Sequence, residues 1–311
     1  MKIPEILPRL KQNDPVALAK AISIVENRKK DYKKLLDGIY PLPRTALKIG
    51  ITGAPGSGKS SLIEKMIAGL REQGLNLAVL AVDPSSPLSG GALLGDRLRM
   101  IQHSNDPHVF IRSIANRGHL GGLSLSTHEI VDLLQASGKD VIIIETVGVG
   151  QSEVDIVNVA DVVLMVINPD SGDEIQIFKA GIIEIADIFV VNKADLAGAD
   201  NKVAEIRNYF ALSGRDPLVF PTSVKEERGI RELLAGIRRF RQAQDGHIRD
   251  KAARMKASYI EKIVIERVQE ALRLDPAAAA LARGEGEDNP LHAAERILEL
   301  LKKGGLHDKK N

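Results

Sequence analysis

Short apolar runs alternate with longer amphipathic stretches through the middle of the chain. Seven such runs are apolar at both odd and even positions, and they lie at residues 47–52, 75–83, 108–114, 140–146, 161–168, 187–192 and 217–223. A strand that is buried on both faces has this pattern, whereas a half-buried strand alternates. Helix-length connections between the runs favour parallel pairing. The pattern therefore predicts a doubly wound, mostly parallel α/β sheet.

Helical patterns precede and follow these strands. Asn13, Asp14 and Pro15 form an N-cap and first-turn signal, which predicts a helix reaching about Lys34. After Thr222 the strand pattern stops, and helices are predicted over residues 227–243, 250–274 and 290–302. The alanine-rich segment 277–282 and the acidic, glycine-containing segment 284–288 are interpreted as a low-complexity bridge. The expected organisation is an N-terminal helical extension (1–44), an α/β domain (45–245) and a C-terminal helical arm (246–311).

The helix predicted over residues 250–274 carries an amphipathic stripe. Its apolar members recur at about helical spacing, and they are Ile260, Ile263, Val264, Val268 and Leu272. Such a stripe packs either against its own domain or against a second copy of the chain. Only the second arrangement would make the C-terminal arm a dimerisation element.

Composition narrows the classes of protein that fit. The 311 residues carry 43 Lys and Arg against 41 Asp and Glu, which gives a net charge of +2. This small net charge argues against an extended basic surface for binding nucleic acid. The chain has no Cys, which excludes disulfides, thiolate metal sites and Cys nucleophiles and agrees with a reducing compartment. No segment offers about 18 consecutive apolar residues, and the N-terminus lacks the apolar run of a signal peptide. We expect a cytoplasmic protein with neither nucleic acid nor a membrane among its partners.

A glycine-rich loop follows the first predicted strand. Residues 53–60 read GAPGSGKS, which matches the G-x-x-x-x-G-K-[ST] phosphate loop, and a helical stretch comes next. Glycines let the backbone amides surround an anion, and the helix N-terminus adds favourable partial charge. We expect Lys59 to reach the β- and γ-phosphates and Ser60 to offer its hydroxyl to Mg²⁺. The predicted nucleotide-binding residues here are Gly53, Ala54, Pro55, Gly56, Ser57, Gly58, Lys59, Ser60 and Ser61.

A second motif selects the base. Asn192, Lys193, Ala194 and Asp195 follow a predicted strand directly and match the N-K-x-D guanine box. Asp195 can accept hydrogen bonds from N1–H and the 2-amino group of guanine, whereas adenine offers neither there. Two such bonds would favour guanine by about 10²–10⁴-fold. We expect Asn192 to hold the loop and the N7 side of the base, and the Lys193 stem to cover a ring face. The backbone amides expected to contact guanine O6 are those of Thr222, Ser223 and Val224.

Acidic residues end two of the predicted strands between these motifs. Asp83 ends one and Glu145 lies near the end of another, where a Mg²⁺ shell is built beside a phosphate loop. Glu145 stands where most GTPases have Asp, and its extra methylene group favours either contact through water or a repositioned contact. Asp96 is expected to approach the metal on a mobile switch, the alternative being a solvated helix start. The predicted Mg²⁺ residues are Ser60, Asp83, Asp96 and Glu145. The predicted catalytic residues are Lys59, Asp83, Asp96, Glu145 and Gly148, whose amide would face the γ-phosphate. No general base is identifiable.

Several segments together resemble one family. The chain carries, in order, GAPGSGKS, DPSSPLSGGALLGDRLRM, ETVGVGQSE, PDSGDEIQ and NKAD. This series resembles the MeaB/ArgK family, the G proteins associated with cobalamin-dependent acyl-CoA mutases. The resemblance implies a GTPase of the signal-recognition/MinD-like class that binds GTP or GDP with Mg²⁺ and forms a homodimer through C-terminal helices. It also implies a chaperone for methylmalonyl-CoA mutase or a relative, in which GTP hydrolysis controls adenosylcobalamin loading, protection or reactivation.

The same resemblance implies an additional switch that communicates with the mutase. Its residues would be Asp170, Gly172, Asp173, Glu174 and Lys179. Cobalamin would be bound only through the partner mutase.

Two other classes of protein remain as alternatives. An ATP-dependent kinase or transport ATPase would share the phosphate loop, but the N-K-x-D box argues against adenine. A metallochaperone GTPase for another metalloenzyme would share the fold. The nickel type should carry a His- or Cys-rich segment, yet this chain has no Cys and no His before residue 103.

The substitution Lys59→Ala tests the phosphate loop. We expect it to abolish tight triphosphate binding, because the ammonium no longer offsets phosphate charge, while the circular dichroism spectrum stays unchanged. Titration with a fluorescent GTP analogue measures the affinity. Undiminished affinity would remove the assignment of this loop.

Overall fold

The computed structural model describes residues 2–84, 103, 105–116, 123–146, 154–169, 182–211, 214, 216–243, 245–287 and 289–303. It divides into two units, Met1–Met255 and Lys256–Asn311, and the division falls inside one long helix. The strands are β1 (Leu47–Thr52), β2 (Leu77–Pro84), β3 (Val109–Asn116), β4 (Val141–Thr146), β5 (Val162–Ile167), β6 (Ile188–Val191) and β7 (Leu218–Pro221). The helices are α1 (Ile3–Lys11), α2 (Pro15–Glu26), α3 (Tyr32–Ile39), α4 (Lys59–Arg71), α5 (Leu125–Ala136), α6 (Ile182–Ile185), α7 (Ala199–Ala211), α8 (Ile230–Ala243), α9 (Asp245–Leu274), α10 (Pro276–Ala282) and α11 (Pro290–Lys303).

The predicted parallel sheet is confirmed. The seven strands pair in parallel in the order β3-β2-β4-β1-β5-β6-β7. Strand β1 thus lies between β4 and β5, although β2 and β3 intervene in the chain. Because all seven strands run in the same direction, their carboxyl ends share one edge of the sheet, which is where ligands bind in open α/β folds.

The two faces of the sheet are covered by different helices. In β2 and β4, even-numbered residues such as Leu80 and Ile144 belong to a core shared with α1, α2, α3 and α5. Odd-numbered residues of these two strands, such as Val79 and Ile143, pack with α4 and α8 on the other face. Successive strand residues alternate between faces, so Asp83 and Glu145, which have odd numbers, extend the α4 side.

The N-terminal helices are held to the sheet layer by charge pairs as well as by apolar packing. Arg112 of β3 contacts Glu26 of α2 at 2.9 Å, and Arg44 contacts Asp132 of α5 at 3.1 Å. Arg28 pairs with buried Glu129 of α5. Burial raises the pKa of Asp132 despite its arginine partner. These contacts cross between the helical extension and the α/β layer within the first unit.

Some predicted helix limits were wrong. Asp14 caps α2 as predicted, accepting from the amides of Val16 at 2.8 Å and Ala17 at 3.1 Å, but α2 ends at Glu26 and not near Lys34. The reason is a left-handed turn, with φ of +46° at Arg28 and +69° at Asp31, before α3 begins. Helix α8 begins at Ile230 and not at residue 227, and α9 begins at Asp245 and not at residue 250.

The second unit contains most of α9 together with α10 and α11. The predicted low-complexity bridge is partly helical, because Asp275 caps α10 by accepting from the amides of Ala277 and Ala278 at 2.9 and 3.1 Å. In α9 the side chains of Ile260, Val264 and Ile265 are 50%, 55% and 49% exposed. Among the helices that the structure describes, none combines the length and apolar character that crossing a membrane requires.

A buried lysine in the turn between α5 and β4 gives a stability prediction. Lys139 is 4% exposed, and burial lowers its pKa to about 8. Since the unfolded chain holds this proton up to a higher pH, the free energy of unfolding should rise between about pH 8 and 10.5. Lys139→Met should stabilise the protein at pH 7 by about 1–3 kcal/mol, and the advantage should shrink at pH 10.

Urea unfolding at both pH values measures this effect. Lys20→Met, at an exposed position of α2, is the matched control and should change the free energy of unfolding little. A Lys139→Met protein no more stable than the parent at pH 7 would contradict the prediction.

Candidate active site

The phosphate-loop residues join β1 to α4 at the carboxyl edge of the sheet. Lys59 is the first residue of α4, and its Nζ donates to the backbone oxygens of Gly53 at 2.7 Å and Ala54 at 3.1 Å. The side chain folds back over its own loop and is buried. A helix N-terminus presents unpaired amides and partial positive charge, so this loop combines a cation with anion-binding backbone.

Asn192 ties this loop to the predicted base-binding segment. Its Nδ2 donates to the backbone oxygen of Ser57 at 3.0 Å, and its Oδ1 accepts from the Thr222 hydroxyl at 3.2 Å. Gly58 has a φ of +90°, and a Cβ at this position would lie 2.3 Å from Asn192 Nδ2. Glycine is therefore needed here for two reasons: it adopts the positive φ without strain, and it has no Cβ that would clash with the Asn192 side chain.

A hydroxyl and a carboxylate meet beside the start of α4, and a second carboxylate follows on the neighbouring strand. Ser60 Oγ donates to Glu145 Oε1 at 2.8 Å, and both side chains are buried. In the sheet register Glu145 pairs with Ala81, so Asp83 lies two residues farther along the same face of β2. The described residues contain no group of three or more His, Asp or Glu side chains arranged to hold a metal. Mg²⁺ usually takes one or two carboxylates together with substrate phosphates and water, and this set of hard oxygen donors fits it.

The guanine-box residues form a turn that is fixed at several points. Lys193 has a φ of +57°, and the Ala194 amide donates to the Thr222 carbonyl at 2.9 Å. Ser223 Oγ donates to Asp195 Oδ1 at 2.7 Å. This hydrogen bond is the main reason why the pKa of Asp195 is held below its ordinary value. The carboxylate is thus ionised and oriented as a hydrogen-bond acceptor.

The expectation for the amides of residues 222–224 needs a correction. The Thr222 amide donates to the Val191 carbonyl at 2.8 Å, and the Ser223 amide donates to the Arg228 carbonyl at 3.0 Å. Neither amide can contact a base oxygen without giving up a backbone hydrogen bond. The expectation of an amide contact to guanine O6 therefore rests on Val224.

Sequence reasoning missed three contacts around this turn. They are the Ser223 hydroxyl on Asp195, the Arg228 guanidinium on the Ala194 carbonyl, and the Lys65–Glu227 ion pair. Each joins residues that are 28 or more positions apart. The one local signal was Gly229, which marks the end of the turn before α8.

Some predicted site residues lie outside the described part of the chain. They are Asp96, Gly148, Asp170, Gly172, Asp173, Glu174 and Lys179. The predicted residues that the structure brings together form three groups: the phosphate loop with Asn192, Ser60 with Glu145, and Asp195 with Ser223.

We compared the chain with protein families, with known sequences and with solved structures, and found similar proteins in each case. Residues 18–277 match the family model described as "Methylmalonyl Co-A mutase-associated GTPase MeaB". A protein of Pyrococcus abyssi is 42% identical over 99% of this chain and 100% of its own length. The GTPase ArgK of Escherichia coli is 38% identical over 77% of this chain and 76% of its own length. A crystal structure of an LAO/AO transport system kinase superposes with a TM-score of 0.71 at 28% identity, over 96% of this chain and 97% of that one.

The substitution Asp195→Asn tests the base contact. An amide can donate to the 2-oxo group of xanthine but cannot accept two hydrogen bonds from guanine. The preference between GDP and XDP should therefore shift by about 10²-fold or more towards XDP. Competition titration measures both affinities. Unchanged guanine preference in a folded variant would contradict the assignment of Asp195.

Proposed function

The chain belongs to the MeaB family of GTPases, and from this premise we propose that it is a Mg²⁺-dependent G-protein chaperone for a cobalamin-dependent acyl-CoA mutase. GTP binding and hydrolysis would be coupled to adenosylcobalamin loading, protection or reactivation in the mutase, either methylmalonyl-CoA mutase or a relative. The family description supports the client, since it names association with that mutase. The proposal includes a cytoplasmic location.

The main observation that supports nucleotide binding is the hydrogen bond from Asn192 to the phosphate loop. It joins the segment predicted to bind the phosphates to the segment predicted to bind the base. In the proposed complex the triphosphate lies in the loop of residues 53–60, with Lys59 exchanging its carbonyl contacts for β- and γ-phosphate oxygens. Asp195 accepts from N1–H and the 2-amino group of guanine, and the Lys193 stem covers a ring face.

The proposed Mg²⁺ site uses Ser60, Asp83 and Glu145, with Asp96 as a further member. The 2.8 Å contact from the Ser60 hydroxyl to Glu145 supports this choice, because it pairs two buried oxygen ligands at the phosphate loop. The longer Glu145 side chain, in place of the usual Asp, would act through water. When bound, Mg²⁺ offsets the charge that develops as the γ-phosphoryl group is transferred to water. The Gly148 amide would face the γ-phosphate.

Communication with the mutase is assigned to residues 170–179. Asp170, Gly172, Asp173, Glu174 and Lys179 would form a switch that responds to the nucleotide state, as segments near a γ-phosphate do in other GTPases. The segment PDSGDEIQ that resembles the family supports this assignment.

The C-terminal arm, residues 246–311, is proposed as the dimerisation element. The exposed Ile260 and Val264 of α9 support it, because they lie four residues apart on one helix face and apolar side chains left in water favour burial against a partner. The division of the chain would then be an N-terminal extension (1–44), a GTPase domain (45–245) and this arm.

A reconstituted complex tests the proposed client. The chain is mixed with purified methylmalonyl-CoA mutase in the presence of GDP or a non-hydrolysable GTP analogue, and the mixture is analysed by size-exclusion chromatography and by GTP turnover. We expect a complex in at least one nucleotide state and a change in turnover on adding the mutase. The matched variant Lys59→Ala should lose the dependence of complex formation on the nucleotide. If no B12-dependent mutase forms a complex in either state or alters turnover, the client is wrong.

A further inference from the structure

The turn after β7, residues 223–229, is closed by its own backbone. The Ser223 amide donates to the Arg228 carbonyl, and the Arg228 amide donates to the Ser223 carbonyl, both at 3.0 Å. Gly229 follows with a φ of +80°, and a Cβ there would lie 2.1 Å from the Pro221 oxygen. The chain thus reverses tightly at a fixed point, which sets where the Arg228 side chain leaves the backbone.

The Arg228 side chain reaches across to the guanine box. Its Nη2 donates to the Ala194 carbonyl at 3.0 Å, while the Ala194 amide donates to the Thr222 carbonyl at 2.9 Å. The Ala194 carbonyl belongs to the peptide unit that leads into Asp195. Both backbone hydrogen-bonding groups of Ala194 are therefore engaged by residues that come after β7, the amide by Thr222 and the carbonyl by Arg228. The hydrogen bond from Arg228 holds the peptide unit that joins Ala194 to Asp195.

The Asp195 side chain is oriented from the same turn. Ser223 Oγ accepts from the Glu226 amide at 3.1 Å, so its own hydrogen is free to point at Asp195 Oδ1, 2.7 Å away. Arg228 is also one of the cations that help to keep this carboxylate ionised. Backbone and side chain of Asp195 are thus positioned together by residues 223–229.

We propose that Arg228 is a positioning residue for base selection, holding the Ala194–Asp195 peptide unit so that the carboxylate faces both N1–H and the 2-amino group of guanine. This proposal rests on the proposed role of Asp195 in binding the base. In this role Arg228 acts through its hydrogen bond to the Ala194 carbonyl and not by contacting the base. The role concerns the choice between bases, whereas the phosphate loop contributes equally to all nucleoside diphosphates.

A comparison of GDP with inosine diphosphate (IDP) distinguishes a positioning role of Arg228 from general structural support. The hypoxanthine base of IDP keeps N1–H but lacks the 2-amino group, so the ratio of the two affinities reports the contact of Asp195 with that group. We expect Arg228→Ala to lower the ratio of GDP affinity to IDP affinity about 3–10-fold, mainly through weaker GDP binding. Arg228→Lys keeps a cationic donor and should retain part of the ratio. The control is Arg231→Ala, at an exposed position in the first turn of α8, which should leave the ratio at the parent value.

The outcomes distinguish this inference from the assignment on which it rests. If Arg228→Ala weakens GDP and IDP equally, or changes neither, Arg228 has no part in selection and the inference is overturned. Asp195→Asn is measured alongside. If it removes the preference for GDP over IDP while Arg228→Ala does not, the base site stands and only the positioning role fails. If Asp195→Asn leaves the preference intact, the base site itself is wrong and the inference fails with it.

Discussion

Parallel pairing of the seven strands is the constraint on which the rest of the site depends. It brings the carboxyl ends of β1, β2, β4 and β6 to one edge of the sheet, although these four strands are far apart in the chain. The register matters as much as the direction. A shift of one residue would turn Asp83 and Glu145 away from α4 and towards the α5 face. The buried contact between Ser60 and Glu145 exists only in the observed register.

Asn192 links the loops at this edge of the sheet to one another. Its hydrogen bonds to Ser57 and Thr222 hold the phosphate loop, the guanine box and the residue after β7 together. Hydrogen bonds within a site restrict the conformations of its side chains, so that less conformational freedom is lost on binding. The asparagine thus has a structural role in addition to the contact with the base that its motif indicates.

The N-terminal helices complete the opposite face of the sheet. They share a core with β2, β4 and α5, and arginines at positions 28, 44 and 112 pair with carboxylates across the layer. Glu129 and Asp132 are buried, so removing one of their arginine partners would leave a costly uncompensated charge. These pairs favour one packing of the extension over slipped alternatives, because an apolar surface alone would tolerate a shift.

The sequence by itself determined the seven strands, their parallel arrangement, the phosphate loop and the guanine box, because hydrophobic periodicity and glycine spacing are local properties of the chain. It failed at the end of α2, where a left-handed turn at Arg28 and Asp31 follows Glu26. It also failed where long-range geometry decides, at the engaged amides of Thr222 and Ser223 and the contacts of Arg228 and Ser223 around Asp195. Those contacts arise only when the turn after β7 folds back onto the loop after β6. Tertiary structure therefore decided how Asp195 is held, since the residues that hold it carry no motif of their own and meet only through the sheet.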